Sequence, residues 1–243
     1  SFETALDLFT KALTTKGKST NTIVAYKGDI NQLISYFKTL SDVTDVSLVK
    51  STHIDAFKKS LIQNNYTSES VSRKLNSIKN LFSFLKQEGI ITADPSGDIK
   101  HPKYKNELPR ILEAVEYRSL RDACRNDLRA TAIVELMLQA GLRIKEIENL
   151  KIDNVKDNDI FIETYESHDP RTVPLNNSAK TALTRYIDEE RYDTKTKHVF
   201  VTKTGRKLLA RNIGSLLKRY FDKADLKDIK VNDLRNTFIV FQL

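Results

Sequence analysis

The chain has 243 residues, of which 40% are hydrophobic and 30% charged, enough apolar material for one large globular domain or two ordinary ones. Its formal net charge of +8 favours an anionic partner, and nucleic acid first among these. The single Cys124 excludes an internal disulfide and fits a reducing compartment. Because no apolar run reaches the length of a membrane span and no signal peptide opens the chain, we expect a cytoplasmic protein without a membrane partner.

The first ninety residues have the apolar periodicity of helices. Gly17 ends an opening amphipathic run, and Ser19 to Thr22 supply N-cap chemistry for a second, longer one. A third helix is predicted from Ser51 to Gln63, and a fourth from Thr67-Ser68 to Gly89. Four helices joined by short loops predict a bundle that forms a first domain, residues 1–92.

The polar faces of this predicted bundle are rich in basic residues. They are either an ordinary solvated surface or a set of contacts to DNA phosphates, which position a protein without reading sequence. The residues that we assign to DNA here are Lys27, Lys58, Lys74 and Lys79.

Residues 93–110 differ in composition from the segment before them, with three prolines in about fifteen residues and little apolar content. This composition predicts an extended linker between two domains. The second domain, residues 111–243, is predicted to be mostly helical with one small β-hairpin, where the apolar period changes to two around a turn at Ser167 to Pro170. The predicted elements are helices Glu113 to Arg125, Asp127 to Ala140, Ala179 to Glu190 and Ala210 to Ala224, and a short strand, His198 to Val201.

The second predicted domain also carries basic residues suited to DNA. The helix from Arg211 to Lys223 is our candidate for an element that enters the major groove. The residues that we assign to DNA in this domain are Lys203, Arg206, Arg211 and Lys218.

Arg143 stands at a predicted corner between two helices. Gly141 lies where a helix commonly ends with positive φ, and a second apolar run begins after Arg143. Glu146, three residues on, is close enough to hold the Arg143 guanidinium. Taken alone, this spacing also fits a solvated arginine at the start of a helix.

Two motifs together indicate a family. The stretch from Ala140 to Ile147, AGLRIKEI, resembles the first conserved box of the tyrosine recombinases, the phage-integrase and Xer family. The stretch from Asn232 to Phe238, NDLRNTF, resembles that family's second box, usually H-x-L-R-H-T-F. The order of elements in the first ninety residues resembles the family's core-binding domain, so that the resemblance covers nearly the whole chain.

The resemblance implies a mainly α fold with a small β-hairpin, in which a helical, SAM-like core-binding bundle and an α+β catalytic domain clamp duplex DNA. It implies that Arg143 and Arg235 bind the scissile phosphate and that Glu146 orients Arg143. It further implies that a tyrosine attacks the DNA, that a 3′-phosphotyrosyl intermediate forms, and that strands are exchanged within a tetramer of this chain or of this chain and a related recombinase. Members of the family need no metal and no ATP, and the chain has no zinc-ligand, P-loop or dinucleotide-binding motif, so no cofactor is expected.

The chain departs from the family's catalytic set at two positions. Asn232 stands in place of the second-box histidine, and an amide binds a phosphate oxygen but transfers no proton. Glu166 stands in place of the lysine that protonates the leaving oxygen. His168, in the same turn, is the nearest candidate to replace that lysine, and Lys203 is a second one.

None of the nine tyrosines lies where the family has its nucleophile, beyond the second box. The sequence therefore predicts a chain that binds DNA but does not cleave it, truncated before the nucleophilic tyrosine. Three explanations stay open: a shortened chain, an omitted C-terminal segment, or a natural relative that binds DNA as a catalytically silent accessory protein. We favour an active parent recombinase over the silent relative.

Overall fold

The structure, a computed structural model, describes residues 1–40, 42–104, 108–166 and 168–242. It divides into two compact units, Ser1–Asn106 and Glu107–Leu243. Helices dominate both, and the second contains a two-stranded antiparallel sheet. The predicted fold class, mainly α with a small β-hairpin, is confirmed.

The first unit is a bundle of four helices whose ends follow the sequence signals. Ser19 and Thr67 cap the second and fourth helices, each accepting a hydrogen bond from the backbone N–H three residues on. Aromatic and aliphatic side chains, among them Phe9, Phe37 and Phe82, fill the core between the helices. The four helices are α1 (Phe2–Thr15), α2 (Thr20–Phe37), α3 (Ser51–Gln63) and α4 (Ser68–Gln87).

A buried group of charges joins α2 to α4. The Asp29 carboxylate, 4% exposed, accepts hydrogen bonds from both terminal nitrogens of Arg73 at 2.6 and 2.9 Å. The Lys74 ammonium donates to it at 3.0 Å and the Ser77 hydroxyl at 2.7 Å. All these donors come from α4, so one carboxylate of α2 fixes how the two helices meet.

This pairing corrects one residue of the DNA-binding set. Lys74 is buried, with 11% of its side chain exposed, and its ammonium is held by Asp29. A lysine in that position neutralises an internal carboxylate rather than a phosphate, so we remove Lys74 from the proposed interface.

The proline-rich segment between the domains is only partly extended. Ile91 and Ile99 are buried in the core of the first unit, and Ser96 is fully buried. The Lys79 ammonium donates to the Gly97 carbonyl at 3.2 Å, which ties the segment to α4. The start of the predicted linker, residues 93–110, therefore packs on the first unit, while Lys105, Asn106 and Glu107 lie outside the described residues.

The second unit is built around one central helix, α6, which packs against four other helices. Most side chains of α6 are buried, including Ile133, Leu136 and Met137, so this helix forms the centre of the core. The elements are α5 (Ala114–Cys124), α6 (Leu128–Gln139), α7 (Ile144–Asn149), β1 (Asp159–Ile162), β2 (Arg171–Pro174), α8 (Asn177–Arg185), α9 (Ala210–Lys223) and α10 (Val231–Gln242). A π-helical turn, Tyr186–Glu190, extends α8.

The predicted strand from His198 to Val201 is wrong. This segment has only isolated bridges, from His198 to Lys151 and from Val201 to Lys207. The Arg191 guanidinium donates hydrogen bonds to the carbonyls of His198 and Val199 at 3.0 to 3.3 Å. These carbonyls are bound to a side chain instead of to the backbone N–H groups of a neighbouring strand. The apolar residues are buried as predicted, but they fill the core from a loop.

The hairpin forms as predicted. Strands β1 and β2 pair from Asp159 with Pro174 to Ile162 with Arg171. A further isolated bridge joins Tyr165 to His168, and Ser167, the first residue of the predicted turn, lies outside the described residues. No helix in the described parts of the chain is long and apolar enough to cross a membrane.

Replacing Asp29 by alanine should destabilise the first unit by about 3–5 kcal/mol, because Lys74 would stay buried without its counter-charge. Hydrogen exchange of α2 and α4 in the full chain measures this loss in the first unit alone. Asp7→Ala, which removes an exposed carboxylate of α1, is the matched control and should change stability by no more than about 0.5 kcal/mol. Equal protection in the two variants would contradict the structural role of Asp29.

Candidate active site

A tight corner between α6 and α7 forms the base of the site. Gly141 has φ +62°, a conformation that L side chains rarely adopt. A Cβ added to Gly141 would overlap the ring of Phe238, which packs on the corner from α10. The corner therefore needs glycine for two independent reasons, and its compactness brings α10 against the start of α7.

The Glu146 carboxylate lies at the centre of the site. Its side chain is fully buried, and it accepts hydrogen bonds from the Arg143 backbone N–H at 2.8 Å and from the Arg143 Nη1 at 3.0 Å. Arg171, the first residue of β2, binds both carboxylate oxygens at 2.7 and 2.8 Å in a forked arrangement. One buried carboxylate thus fixes two arginines that are 28 residues apart in the chain.

The charge of Glu146 is strongly stabilised. Burial raises the pKa of its carboxyl, but the hydrogen bonds from Arg171 and from the Arg143 backbone outweigh it and hold the pKa at about 2. The same contact, with Arg171 donating to Glu146, raises the pKa of the Arg171 guanidinium. Glu146 is therefore ionised at neutral pH and serves as an acceptor only.

A third arginine joins this group from α10. Arg235 donates to the carbonyl of Gly141, so the corner that Phe238 covers also anchors this side chain. Burial lowers the pKa of the Arg235 guanidinium, and the positive charges of Arg143 and Arg171 nearby lower it further. Two guanidinium groups thus bind the Glu146 carboxylate and a third lies near enough to sense their charges, which leaves the site with a net positive charge.

This arrangement is suited to binding an anion. The side chains of Arg143 and Arg171 remain 37% and 34% exposed, although Glu146 between them is buried. Their remaining N–H donors can therefore reach a ligand from solvent while the carboxylate holds them in place. A phosphate or phosphodiester, with several oxygens in one group, is the ligand that forked guanidinium donors match best.

The sequence profile described as "Phage integrase family" matches residues 104–240, and that described as "Phage integrase, N-terminal SAM-like domain" matches residues 6–89. The chain belongs to the phage integrase family. Its relatives include the tyrosine recombinase XerC of Roseiflexus castenholzii, 31% identical over 247 residues that cover 93% of this chain and 75% of the relative. The tyrosine recombinase XerD of Listeria monocytogenes serovar 1/2a is 28% identical, over 92% of this chain and 79% of the relative.

Solved integrase structures have the same fold. A lambda integrase dimer bound to a COC′ core site aligns with a TM-score of 0.77 and 17% identity, over 97% of this chain and 87% of that chain. A lambda integrase tetramer bound to a Holliday junction aligns with a TM-score of 0.77 and 17% identity, over 97% and 71% of the two chains. The Tn1549 transposon integrase in complex with transposon right end DNA has a TM-score of 0.80 at 17% identity, over 96% and 84%.

Of the residues that the family resemblance marks as catalytic, Arg143, Glu146 and Arg235 come together. Asn232 lies exposed on α10, one turn before Arg235. The ring of His168 packs against that of Tyr165, with 4.8 Å between ring centroids, and it is the Tyr165 hydroxyl that reaches the Glu146 carboxylate. The described residues contain no group of His, Cys, Asp and Glu side chains that could hold a metal ion.

Sequence reasoning missed Arg171 and Tyr165. In the sequence Arg171 is only the first residue after the predicted turn, and Tyr165 is only one of the nine tyrosines. The available signal was a charged residue at the start of a predicted strand, where a side chain at the edge of the hairpin can reach a neighbouring element. Which carboxylate it binds depends on how the hairpin packs on α7, and this is a tertiary contact.

The other residues assigned to DNA lie at or near the surface. Lys27, Lys203, Arg206, Arg211 and Lys218 are exposed. Lys58 and Lys79 are partly exposed, because the Lys58 ammonium lies 3.4 Å from Asp55 and Lys79 binds the Gly97 carbonyl. Local partners of this kind are easily exchanged for a phosphate at a surface.

Replacing Gly141 by alanine should destabilise the second unit by about 2–4 kcal/mol, because strain at positive φ adds to the overlap with Phe238. Gly214→Ala is the matched control: this glycine lies inside α9, and its added Cβ would make an ordinary contact 3.9 Å from Ile144. The control should be neutral or stabilising by up to about 1 kcal/mol. Hydrogen exchange of α6 and α10 measures both, and equal effects would contradict the close packing at the corner.

Acid should weaken the second unit through Glu146. Because its folded pKa of about 2 lies below the ordinary value of 4.5, its stabilisation is complete above pH 4.5 and is lost as the pH falls towards 2. The difference corresponds to about 3 kcal/mol. Urea unfolding across this range should show the stability gap between the wild type and Glu146→Gln narrowing as the pH falls. A stability difference between the two proteins that does not change with pH would contradict the stabilising role of the ionised Glu146 carboxylate.

Proposed function

We propose that this chain binds duplex DNA with both units and holds one phosphodiester against Arg143 and Arg235, as part of a site-specific recombinase. The observation that carries the proposal is a group of three arginines in a member of the phage integrase family: Arg143 and Arg171 bind the buried Glu146 carboxylate, and Arg235 beside them binds the Gly141 carbonyl. Glu146 acts through Arg143 and Arg171 and is a positioning residue.

In this proposal the arginines stabilise the transition state of strand cleavage. A tyrosine hydroxyl attacks the phosphorus, the bond to the 5′-oxygen breaks, and a 3′-phosphotyrosyl intermediate conserves the energy of the phosphodiester for rejoining. Negative charge grows on the non-bridging oxygens during attack, and donors already fixed by Glu146 and by the Gly141 carbonyl need no reorganisation to meet it. We assign the nucleophile to none of the nine tyrosines of this chain.

The proposed DNA interface uses basic residues on both units. Each unit would bind the duplex, with α9 entering the major groove and surface cations meeting phosphates. Exposure of the side chains supports the choice. The proposed contacts are Lys27, Lys58, Lys79, Lys203, Arg206, Arg211 and Lys218.

We further propose that strand exchange takes place within a tetramer on DNA, formed by this chain alone or together with a related recombinase. The similarity of fold to a lambda integrase tetramer bound to a Holliday junction supports this assembly. Since its substrate is DNA, we assign the protein to the cytoplasm.

A second candidate function is that of a silent DNA-binding accessory protein. Glu166, an exposed carboxylate at the tip of the hairpin, and Asn232, an amide without a transferable proton, favour it. Under this alternative the arginine group binds a phosphate but no strand is cut.

Duplex binding should weaken steeply with salt, by about −0.9 in the log–log slope for each phosphate neutralised. Lys218→Ala should make the slope less steep by the amount that corresponds to about one phosphate contact. Lys195→Ala, which removes an exposed lysine outside the proposed interface of the same unit, should leave it unchanged. Fluorescence anisotropy at several salt concentrations measures the slopes. Binding that is insensitive to salt would contradict the DNA interface.

A nicked suicide duplex separates the two candidate functions. The protein expressed from its complete gene should become covalently trapped on this duplex if it is a recombinase, and should bind without trapping if it is a silent accessory protein. Arg143→Ala and Arg235→Ala should each slow trapping by about 10²–10³-fold, since each removes donors to the transition state. Arg185→Ala, an exposed arginine paired with Glu189 on α8, is the control and should trap at the wild-type rate.

A further inference from the structure

Tyr165 is held in the turn of the hairpin by two independent interactions. Its backbone N–H donates to the His168 carbonyl at 3.3 Å, and the His168 N–H donates back at 2.9 Å. The His168 ring packs against the tyrosine ring at 4.8 Å between centroids. Backbone and ring together direct the side chain towards α7, where its hydroxyl meets the Glu146 carboxylate.

The Tyr165 hydroxyl is only loosely engaged there. It lies 3.4 Å from Glu146 Oε1, longer than an ordinary O–H···O hydrogen bond. The same oxygen already accepts from Arg143 at 3.0 Å and from Arg171 at 2.7 Å. The hydroxyl is therefore a neutral donor beside Arg143, and it can turn to a ligand at small cost.

Strand cleavage at this site needs a proton. Attack on a phosphodiester expels the 5′-oxygen as an alkoxide. An alcohol is a much weaker acid than a titratable side chain, so the alkoxide is a poor leaving group. Protonation of the departing oxygen therefore speeds the reaction. Arginine does not release a proton at neutral pH, and Glu146 holds none because its pKa is about 2. Burial, followed by the charge of Glu146, raises the pKa of the Tyr165 phenol, so the phenol keeps its proton at neutral pH.

We propose that Tyr165 donates its hydroxyl proton to the 5′-oxygen that leaves the phosphorus, an inference that rests on the proposed function. The bond from phosphorus to the attacking oxygen forms, and the proton of that nucleophile passes to solvent. The bond to the 5′-oxygen breaks, its electron pair stays on that oxygen, and the oxygen takes the Tyr165 proton. In rejoining, the attacking 5′-hydroxyl returns its proton to the Tyr165 phenolate, which Arg143 stabilises in between.

A substrate with sulfur in place of the bridging 5′-oxygen tests this role, because a thiolate leaves without being protonated. The protein from the complete gene is compared with Tyr165→Phe on the oxygen and sulfur substrates, at the cleavage site located by trapping. Tyr165→Phe should slow cleavage of the oxygen substrate by about 10²–10⁴-fold and cleave the sulfur substrate within about threefold of the wild type. Tyr192→Phe, which removes an exposed phenol from the same unit, should match the wild type on both.

Each other result is decisive. Equal slowing on both substrates would overturn the proposal, because the hydroxyl would then act only by positioning Glu146 or Arg143. Unchanged cleavage of both would overturn it as well. A wild-type protein that binds DNA but cleaves neither substrate would overturn the recombinase function itself, and the role of Tyr165 with it.

Discussion

The buried carboxylate of Glu146 is the constraint on which the arginine site of the second unit depends. A fully buried charge is tolerated only when donors surround it, and here they come from the start of α7, from the first residue of β2 and from the hairpin turn. The carboxylate therefore does two things at once. It fixes the hairpin on α7, and it aligns two arginines whose outer faces remain open to solvent, so that stability and ligand binding rest on the same contacts.

Helix α10 is joined to the site by contacts with the Gly141 backbone, and not by an ion pair with Glu146. Phe238 fits against Gly141 because that residue has no Cβ, and Arg235 binds the carbonyl of the same glycine. Thr237, between these two, accepts a hydrogen bond from the backbone of Leu112 at 2.8 Å, which ties the beginning of the unit to its last described helix. Arg235 is thus placed by close packing, and a small change in the corner would move it.

Several of the basic residues behind the net charge of +8 are paired with carboxylates of the same unit. Arg73 and Lys74 neutralise Asp29 inside the first unit, and Lys151 and Lys197 bind Glu163 and Asp153 at the surface of the second. Buried pairs of this kind maintain the fold, whereas surface pairs contribute little and can be exchanged for phosphates. Burial therefore decides which lysines belong to the proposed interface.

The sequence by itself determined the helices, the hairpin and the pair of Arg143 and Glu146, because caps, apolar periods and a spacing of three residues are local properties. It also gave the family, through two short motifs that surround two arginines. Only the tertiary structure decided that Arg171 and Tyr165 reach Glu146, that Lys74 is buried, and that the segment from His198 to Val201 is a loop. Each of these depends on a partner distant in the chain, and the pattern of residues around a position does not specify which partner the packing of the core will bring to it.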